Sequence, residues 1–352
     1  LTLQRYYKKN KQTIIKKLYL CNANTVASDK FYELSFTMQT EIIWKTTLKN
    51  GIYGGLTPPL ADHFNPDHFY VTDGWGSKYA SMRLHKLSFS TGKEAANVLI
   101  RNNVRCMYFS TDGQHIFALT DNKIFQLSRE TLAVVKKHEK GIPKFSDYVA
   151  SNDQDTLILM NFNGITVTAY NYVEESVRKK RIKGEGCALI AREKADTYLI
   201  ASHHNGVIQH YNTTTNKIEL LFKTDSFHSV CQDSKGNWYF HLGQYIPPRS
   251  NTTGVMKPLY IIRVLKTDGS QKDYPLGLPF KKPIQLSEDE QSLFLSNDHN
   301  LWQFSLQEER IADTTVISGG EKLIHFFEKQ QFLLCVEADS DYKKLVGRSL
   351  QQ

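Results

Sequence analysis

Short apolar runs alternate with polar turns along nearly the whole chain, and residues 106–139 show the unit most plainly. Cys106-Met107-Tyr108-Phe109 meets the turn Ser110-Thr111-Asp112-Gly113-Gln114, and His115-Ile116-Phe117-Ala118-Leu119 follows as a second apolar run. After Thr120-Asp121-Asn122 comes an alternating stretch over 123–127, then the turn Ser128-Arg129-Glu130-Thr131, then a last run around 132–135. Four short strands joined by tight turns predict one antiparallel meander. A four-stranded repeat of about 40–45 residues has the length of one propeller blade.

Second strands are the clearest markers. They are expected at 18–22, 69–73, 116–120, 157–161, 198–202, 238–242, 293–297 and 332–337, which makes eight. The first fifty residues follow the pattern as well, with strands predicted at 13–21, 30–36 and 41–47. Later units are expected at 145–183, 187–224, 227–280 and 283–318, and a final partial unit at 323–350 lacks its outer strand. A ring closes by borrowing that strand from the other terminus, which removes an exposed edge; residues 1–7 are the candidate. The expectation is an all-β chain forming a single β-propeller of four-stranded antiparallel blades. Eight blades are favoured over seven, with the ring closed by N- and C-terminal strands. No Pro/Ser/Gly-rich linker divides the chain, so it reads as one domain.

The run PPLADHFNPDHFYVTD over 58–73 resembles the repeat of YVTN-type propellers, where a Pro-Asp turn leads into a Tyr-Val-Thr-Asn strand. Leu18-Tyr19-Leu20-Cys21-Asn22 and residues 110–121 echo it. No Trp-Asp dipeptide ends a third strand, so the WD-repeat subtype is not indicated. The resemblance implies two kinds of function beside a plain binding scaffold. One is a cofactor-free subunit of a redox enzyme, as in the β chain of quinohemoprotein amine dehydrogenases, with companion subunits carrying the cofactors. The other is a lactonase-type hydrolase, which would need Asp73, His203, Asp298 and Glu337 to converge.

Composition narrows this picture only slightly. The net charge of +8 is spread over 44 Lys and Arg without a stripe of basic and aromatic residues, so nucleic acid is not an expected partner. No run of about 18 apolar residues predicts a membrane span. Cys21, Cys106, Cys187, Cys231 and Cys335 are far apart and form no CxxC pair; they fall on inner strands and read as small buried hydrophobes. No haem-attachment CxxCH, phosphate loop or HExxH is present, and no cofactor is expected. The chain opens on Leu1, which fits a removed leader and a trimmed terminus equally, so cytoplasmic, periplasmic and secreted locations all stay open.

Candidate chemistry is sought in loops, because strand alternation is explained by packing. In a propeller, the turns between second and third strands lie at one end of the ring. Two of these turns are long. Residues 74–80 carry Trp75 and Tyr79; residues 243–258 carry Tyr245 and Arg249. Aromatic and Arg anchors are the residue types that dominate protein interfaces. His203, Asp298 and His299 sit in shorter turns expected at the same end, with His63 and His68 nearby. Together they predict a binding face for a protein or peptide partner. Adjacent histidines such as His203-His204 point to opposite sides, so no metal centre is predicted. Asp339-Ser340-Asp341 lacks the glycine and closing Glu of a calcium loop and reads as a turn. The basic run at 178–181 reads as an outer strand blunted against edge pairing.

Overall fold

The structure is a computed structural model. It describes residues 36–37, 39–52, 57–74, 82–144, 146–151, 155–161, 166–182, 186–194, 196–247 and 255–351. Two compact units are distinguished, Leu1–Phe36 and Thr37–Gln352, and the second holds the ring.

Two strands come first, β1 (Phe36–Thr37) and β2 (Thr40–Thr47). Blade 1 is β3–β6 (Leu60–Ala61, His68–Asp73, Arg83–Ser88, Glu94–Leu99), and blade 2 is β7–β10 (Val104–Phe109, His115–Thr120, Ile124–Ser128, Val134–His138). Blade 3 is β11–β14 (Ser146–Ser151, Thr156–Asn161, Thr166–Asn171, Ser176–Arg181), and blade 4 is β15–β18 (Cys187–Lys194, Thr197–Ser202, Val207–Asn212, Lys217–Lys223). Blade 5 is β19–β22 (Phe227–Gln232, Trp238–Ile246, Val255–Leu265, Gln271–Pro275). Blade 6 is β23–β26 (Gln285–Leu286, Ser292–Ser296, Asn300–Ser305, Arg310–Val316). Blade 7 is β27–β29 (Glu321–Phe327, Phe332–Glu337, Lys344–Leu350) with β2 as its outer strand. The fold is all-β, with seven four-stranded antiparallel blades in a ring.

The ring is closed by an N-terminal strand pairing with a C-terminal one, as expected, but it has seven blades, not eight, and the N-terminal strand is Thr40–Thr47 and not 1–7. Residues 41–47 do form a fourth strand, as predicted, but for blade 7. The pattern of a strand states that it pairs, not with which edge. The predicted strands at 1–7, 13–21 and 18–22, and most of 30–36, lie outside the described residues.

Closure is built around one side chain. Thr40 pairs with Leu350 and Thr47 with Lys344, with a bulge between Ile42 and Trp44. Trp44 is buried, and its indole Nε1 donates to the Phe89 carbonyl of blade 1 at 2.6 Å. Its ring lies 5.6 Å from Phe332 of blade 7 and 6.4 Å from Phe69 of blade 1. Gly92 of blade 1 and Gly347 of β29 leave room for it, since a Cβ at either position would run into the indole. Thr46 Oγ1 adds a bond to the Gly92 carbonyl at 2.7 Å. One apolar cluster therefore joins blade 7, β2 and blade 1.

Inner positions explain the pattern of the other blades. Second strands such as β8 are buried on both faces between neighbouring blades, so they read as unbroken apolar runs. Outer strands face water on one side; in β14 Arg178, Lys179 and Arg181 are exposed, as the edge reading expects. The first turns share one grammar. Ser110 N donates to the His115 carbonyl while Asp112 accepts from Gln114 N, and Ser287, Ser292, Asp289 and Gln291 repeat this in blade 6. Gly113 there has φ +67°, which a glycine adopts without strain. Cys106, Cys187 and Cys231 lie on first strands and Cys335 on a second strand, all as free thiols. Burial pushes Cys231 and Cys335 up to about 12, which keeps them inert. Cys21 lies outside the described residues. Residues Ala338–Ser340 form a 3-10 turn, so Asp339 belongs to a turn as expected.

Candidate functional site

Turns in a meander alternate between two ends. The second-to-third-strand turns and the connections between blades therefore share one end, and the first-to-second-strand turns lie at the other. His203 and His204 join β16 to β17, and Asp298 and His299 join β24 to β25, so these fall at the expected end. His63 and the start of β4 at His68 belong to the opposite end, against the expectation that they flank the same face. Trp75, Tyr79 and Arg249 lie outside the described residues.

The long insertion of blade 5 is paired at its base. β20 and β21 continue to pair beyond the other second strands, through Gly243↔Pro258, Gln244↔Lys257, Tyr245↔Met256 and Ile246↔Val255. Tyr and β-branched side chains suit a pleated ribbon, so residues 243–246 and 255–258 extend the hairpin as a finger beyond the other second strands. Gly243 permits this, because a Cβ there would lie 2.7 Å from Met256 Sδ and 3.1 Å from the His228 backbone nitrogen. Ile246, Val255 and Leu259 are exposed along the finger.

Tyr245 stacks on His204, with ring centroids 3.9 Å apart and planes 13° from parallel. His203 turns the other way, its ring 5.0 Å from Phe227. The two neighbours thus diverge, as the strand geometry predicts. The His203 carbonyl accepts from Phe227 N at 3.1 Å, and the His204 carbonyl accepts from Ser226 Oγ at 2.9 Å. Both bonds tie the turn of blade 4 to the start of blade 5. Burial pushes His203 down to about 4, with repulsion from His204 and His228 adding to it.

Two further histidines escaped the sequence reading because they lie inside strands. His228 falls at the bulge of β19 and His241 on β20, with rings 5.0 Å apart. His241 is fully buried against Phe280 at 4.3 Å, and burial pushes it down to about 3. Their signal was an imidazole placed where the repeat otherwise puts an apolar side chain. Among the described residues, no group of three His, Cys, Asp or Glu side chains is arranged to hold a metal ion.

Gly206 ends the blade 4 turn at φ +64°, and a Cβ there would collide with the Thr224 and Asp225 carbonyls. Thr224 N donates to the Gly206 carbonyl at 2.7 Å. Beside them Arg263 forks onto Asp273 at 2.7 and 2.8 Å and reaches Asp225 at 2.7 Å. Gly206→Ala is expected to cost about 2–4 kcal/mol from left-handed strain plus backbone overlap. A urea midpoint equal to that of the wild type would show that the close approach is not tight.

Asp298 and His299 form a separate turn on blade 6, shaped by Asn297 Oδ1, which accepts from His299 N and Asn300 N at 2.8 Å each. The Asp298 carboxylate is 3.9 Å from Lys282 Nζ and largely exposed. Lys282 donates to the Leu323 and Ile324 carbonyls, and burial lowers its pKa. His325, partly buried close by, is pushed down to about 4 by its loss of solvent.

The carboxylates of the hydrolase reading are each engaged within their own surroundings. Asp73 is buried, accepts from Asn50 N and Arg83 N at 3.0 Å each, and lies 3.2 Å from His85 Nε2. Glu337 pairs with Lys45 at 2.6 Å and Lys344 at 3.2 Å. Asp73, His203, Asp298 and Glu337 belong to blades 1, 4, 6 and 7. No helix is long and apolar enough to cross a membrane among the described residues. No family model matches the chain, and no curated protein matches it in sequence.

Proposed function

We propose that this chain is a non-catalytic binding propeller that holds a protein or peptide partner at the end of the ring carrying the second-to-third-strand turns. One observation carries the reading: a paired hairpin finger projects from blade 5 with Ile246, Val255 and Leu259 exposed, its base fixed by the His204–Tyr245 stack. A rigid apolar finger offers contact area with little ordering cost on binding. The candidate anchors Trp75, Tyr79 and Arg249 belong to the same reading. A companion subunit of an enzyme is one kind of partner that would fit it.

The test shortens the finger by joining Gln244 to Lys257 through a two-residue Asn-Gly turn, and separately makes Trp75→Ala. The polypeptide that copurifies with the intact chain from its native source is expected to be lost from both variants, with thermal midpoints within a few degrees of the wild type. The same polypeptide recovered at the same yield with both variants would refute the assignment.

A further inference from the structure

At the opposite end of the ring, between blades 1 and 2, lies a cavity of about 390 Å³ lined by Leu60, His63, Phe64, Tyr108, Phe109 and Thr111, among others. From its dimensions and lining we infer that it is a second binding site, which takes one uncharged aromatic ring bearing a hydrogen-bonding group.

The walls are preformed. Asp62 is buried beneath the turn and accepts from Phe64 N, Asn65 N and the Tyr70 hydroxyl at 3.0–3.1 Å, and from Arg129 Nη1 at 2.9 Å. Those bonds hold His63 and Phe64 in place at the mouth. His63 meets Phe109 edge-on at 4.8 Å, and Phe64 meets Phe109 edge-on at 5.8 Å. Phe64 nonetheless stays 42% exposed, a large apolar side chain that the ring itself does not cover.

The lining selects the ligand. Its volume sits near the lower limit of ligand pockets, room for one ring system and its substituents. No carboxylate lines it, and the face of Phe64 nearest the ring is already taken by the Arg129 guanidinium at 5.4 Å, itself paired with Asp62 and Glu130, so a cationic head group finds neither a counter-charge nor a free aromatic face there. No Lys or Arg lines it either, which leaves an anion without a counter-charge. The polar handles are the His63 ring nitrogens and the Thr111 hydroxyl at the mouth; Tyr108 packs on the other face of its strand, against blade 3. Aromatic walls with a few convergent polar groups fit an indole or phenol, whether from a peptide side chain or from a free aromatic compound.

The experiment titrates the full chain with N-acetyltryptophanamide, indole, N-acetylleucinamide and choline, read by ligand-observed NMR. The indole-bearing probes are expected to bind with a dissociation constant of about 1 mM or tighter. Binding should weaken at least about tenfold in Phe64→Ala and vanish in Thr111→Trp, whose new side chain fills the mouth from an exposed position. Both variants are checked for an unchanged melting curve, and Thr111→Trp serves if Phe64→Ala fails to fold. Equal affinity for both indole probes would mark a free aromatic compound as the ligand; tighter binding of the amide would mark a peptide side chain. Absence of binding by the wild type, choline binding as tightly as indole, or affinity unchanged in both variants would each overturn the site. The finger-shortened chain should bind the probes normally, so failure here is separable from failure at the other end.

Discussion

Trp44→Ala is expected to destabilise the ring by about 3–5 kcal/mol, the cost of emptying a large aromatic from a core that cannot collapse. The indole fills a space bounded by Gly92, Gly347, Phe332 and Phe69, and its Nε1 bond to the Phe89 carbonyl is buried. Relaxation is limited because two of those neighbours are glycine backbone with no side chain to shift inward. Trp44→Phe should cost less, about 1–2 kcal/mol, since it keeps much of the packing but leaves the Phe89 carbonyl without its donor. β2 joins the N-terminal part of the ring to its last strand, β29, so the loss should concentrate there. Amide exchange should accelerate over 40–47 and 344–350 before it does in blades 3 and 4. A drop below about 1 kcal/mol for the alanine variant would mean that the indole is not what closes the ring.

Acidification should unfold this protein well before its carboxylates titrate. His203 and His325 are pushed down to about 4 and His241 to about 3, each by burial of the charged form. In the unfolded chain they return to about 6.5. Because the folded values lie below the unfolded ones, the unfolded state binds more protons between about pH 6.5 and 4. Stability is therefore complete above about pH 6.5 and falls as pH drops through that window. With three such groups the steepest slope is about 4 kcal/mol per pH unit. His138 and His228 are lowered too and add to it, whereas Glu328, raised by burial, opposes it slightly. Asp73 and Asp233 are held below 3.8 by their hydrogen bonds and enter only at lower pH. Urea midpoints measured from pH 7.5 to 5 should trace this fall, and His241→Phe should flatten it by about a third. Stability that stays level from pH 7 to 5 would show that the histidines are charged in the folded ring.

Much of the architecture was legible because its causes are local. Buried second strands appear as apolar runs, and seven of the eight predicted positions, from 69–73 to 332–337, fall within observed strands or within one residue of them. Asp-Gly and Ser-x-Asp turns carry their own hydrogen bonds, as Ser110 and Asp112 do, so they announce themselves without tertiary help. The run PPLADHFNPDHF also has a local basis: the Asp62 carboxylate accepts from Phe64 N and Asn65 N within the turn itself.

The candidate site was less legible. His203, Tyr245, Asp298 and His299 occupy the expected end, but Tyr245 meets His204 across a blade boundary, a pairing that no local spacing encodes. His228 and His241 were passed over because strand positions were assigned to packing. The paired finger looked like a loop because its length alone was weighed, not the alternation of Gln244-Tyr245-Ile246 against Val255-Met256-Lys257.

By itself the amino-acid sequence determined the repeating meander, its strand order within each blade, the inner placement of Cys106, Cys187, Cys231 and Cys335 and the outer placement of the basic strand. Only the tertiary structure decided that seven blades close the ring, that Thr40–Thr47 supplies the last strand, and which histidines lie side by side. The division is physical. Alternation and turn chemistry act over a few residues, whereas the pairing of Thr40 with Leu350 joins positions about three hundred residues apart, and its choice of edge depends on what Trp44 finds to fill.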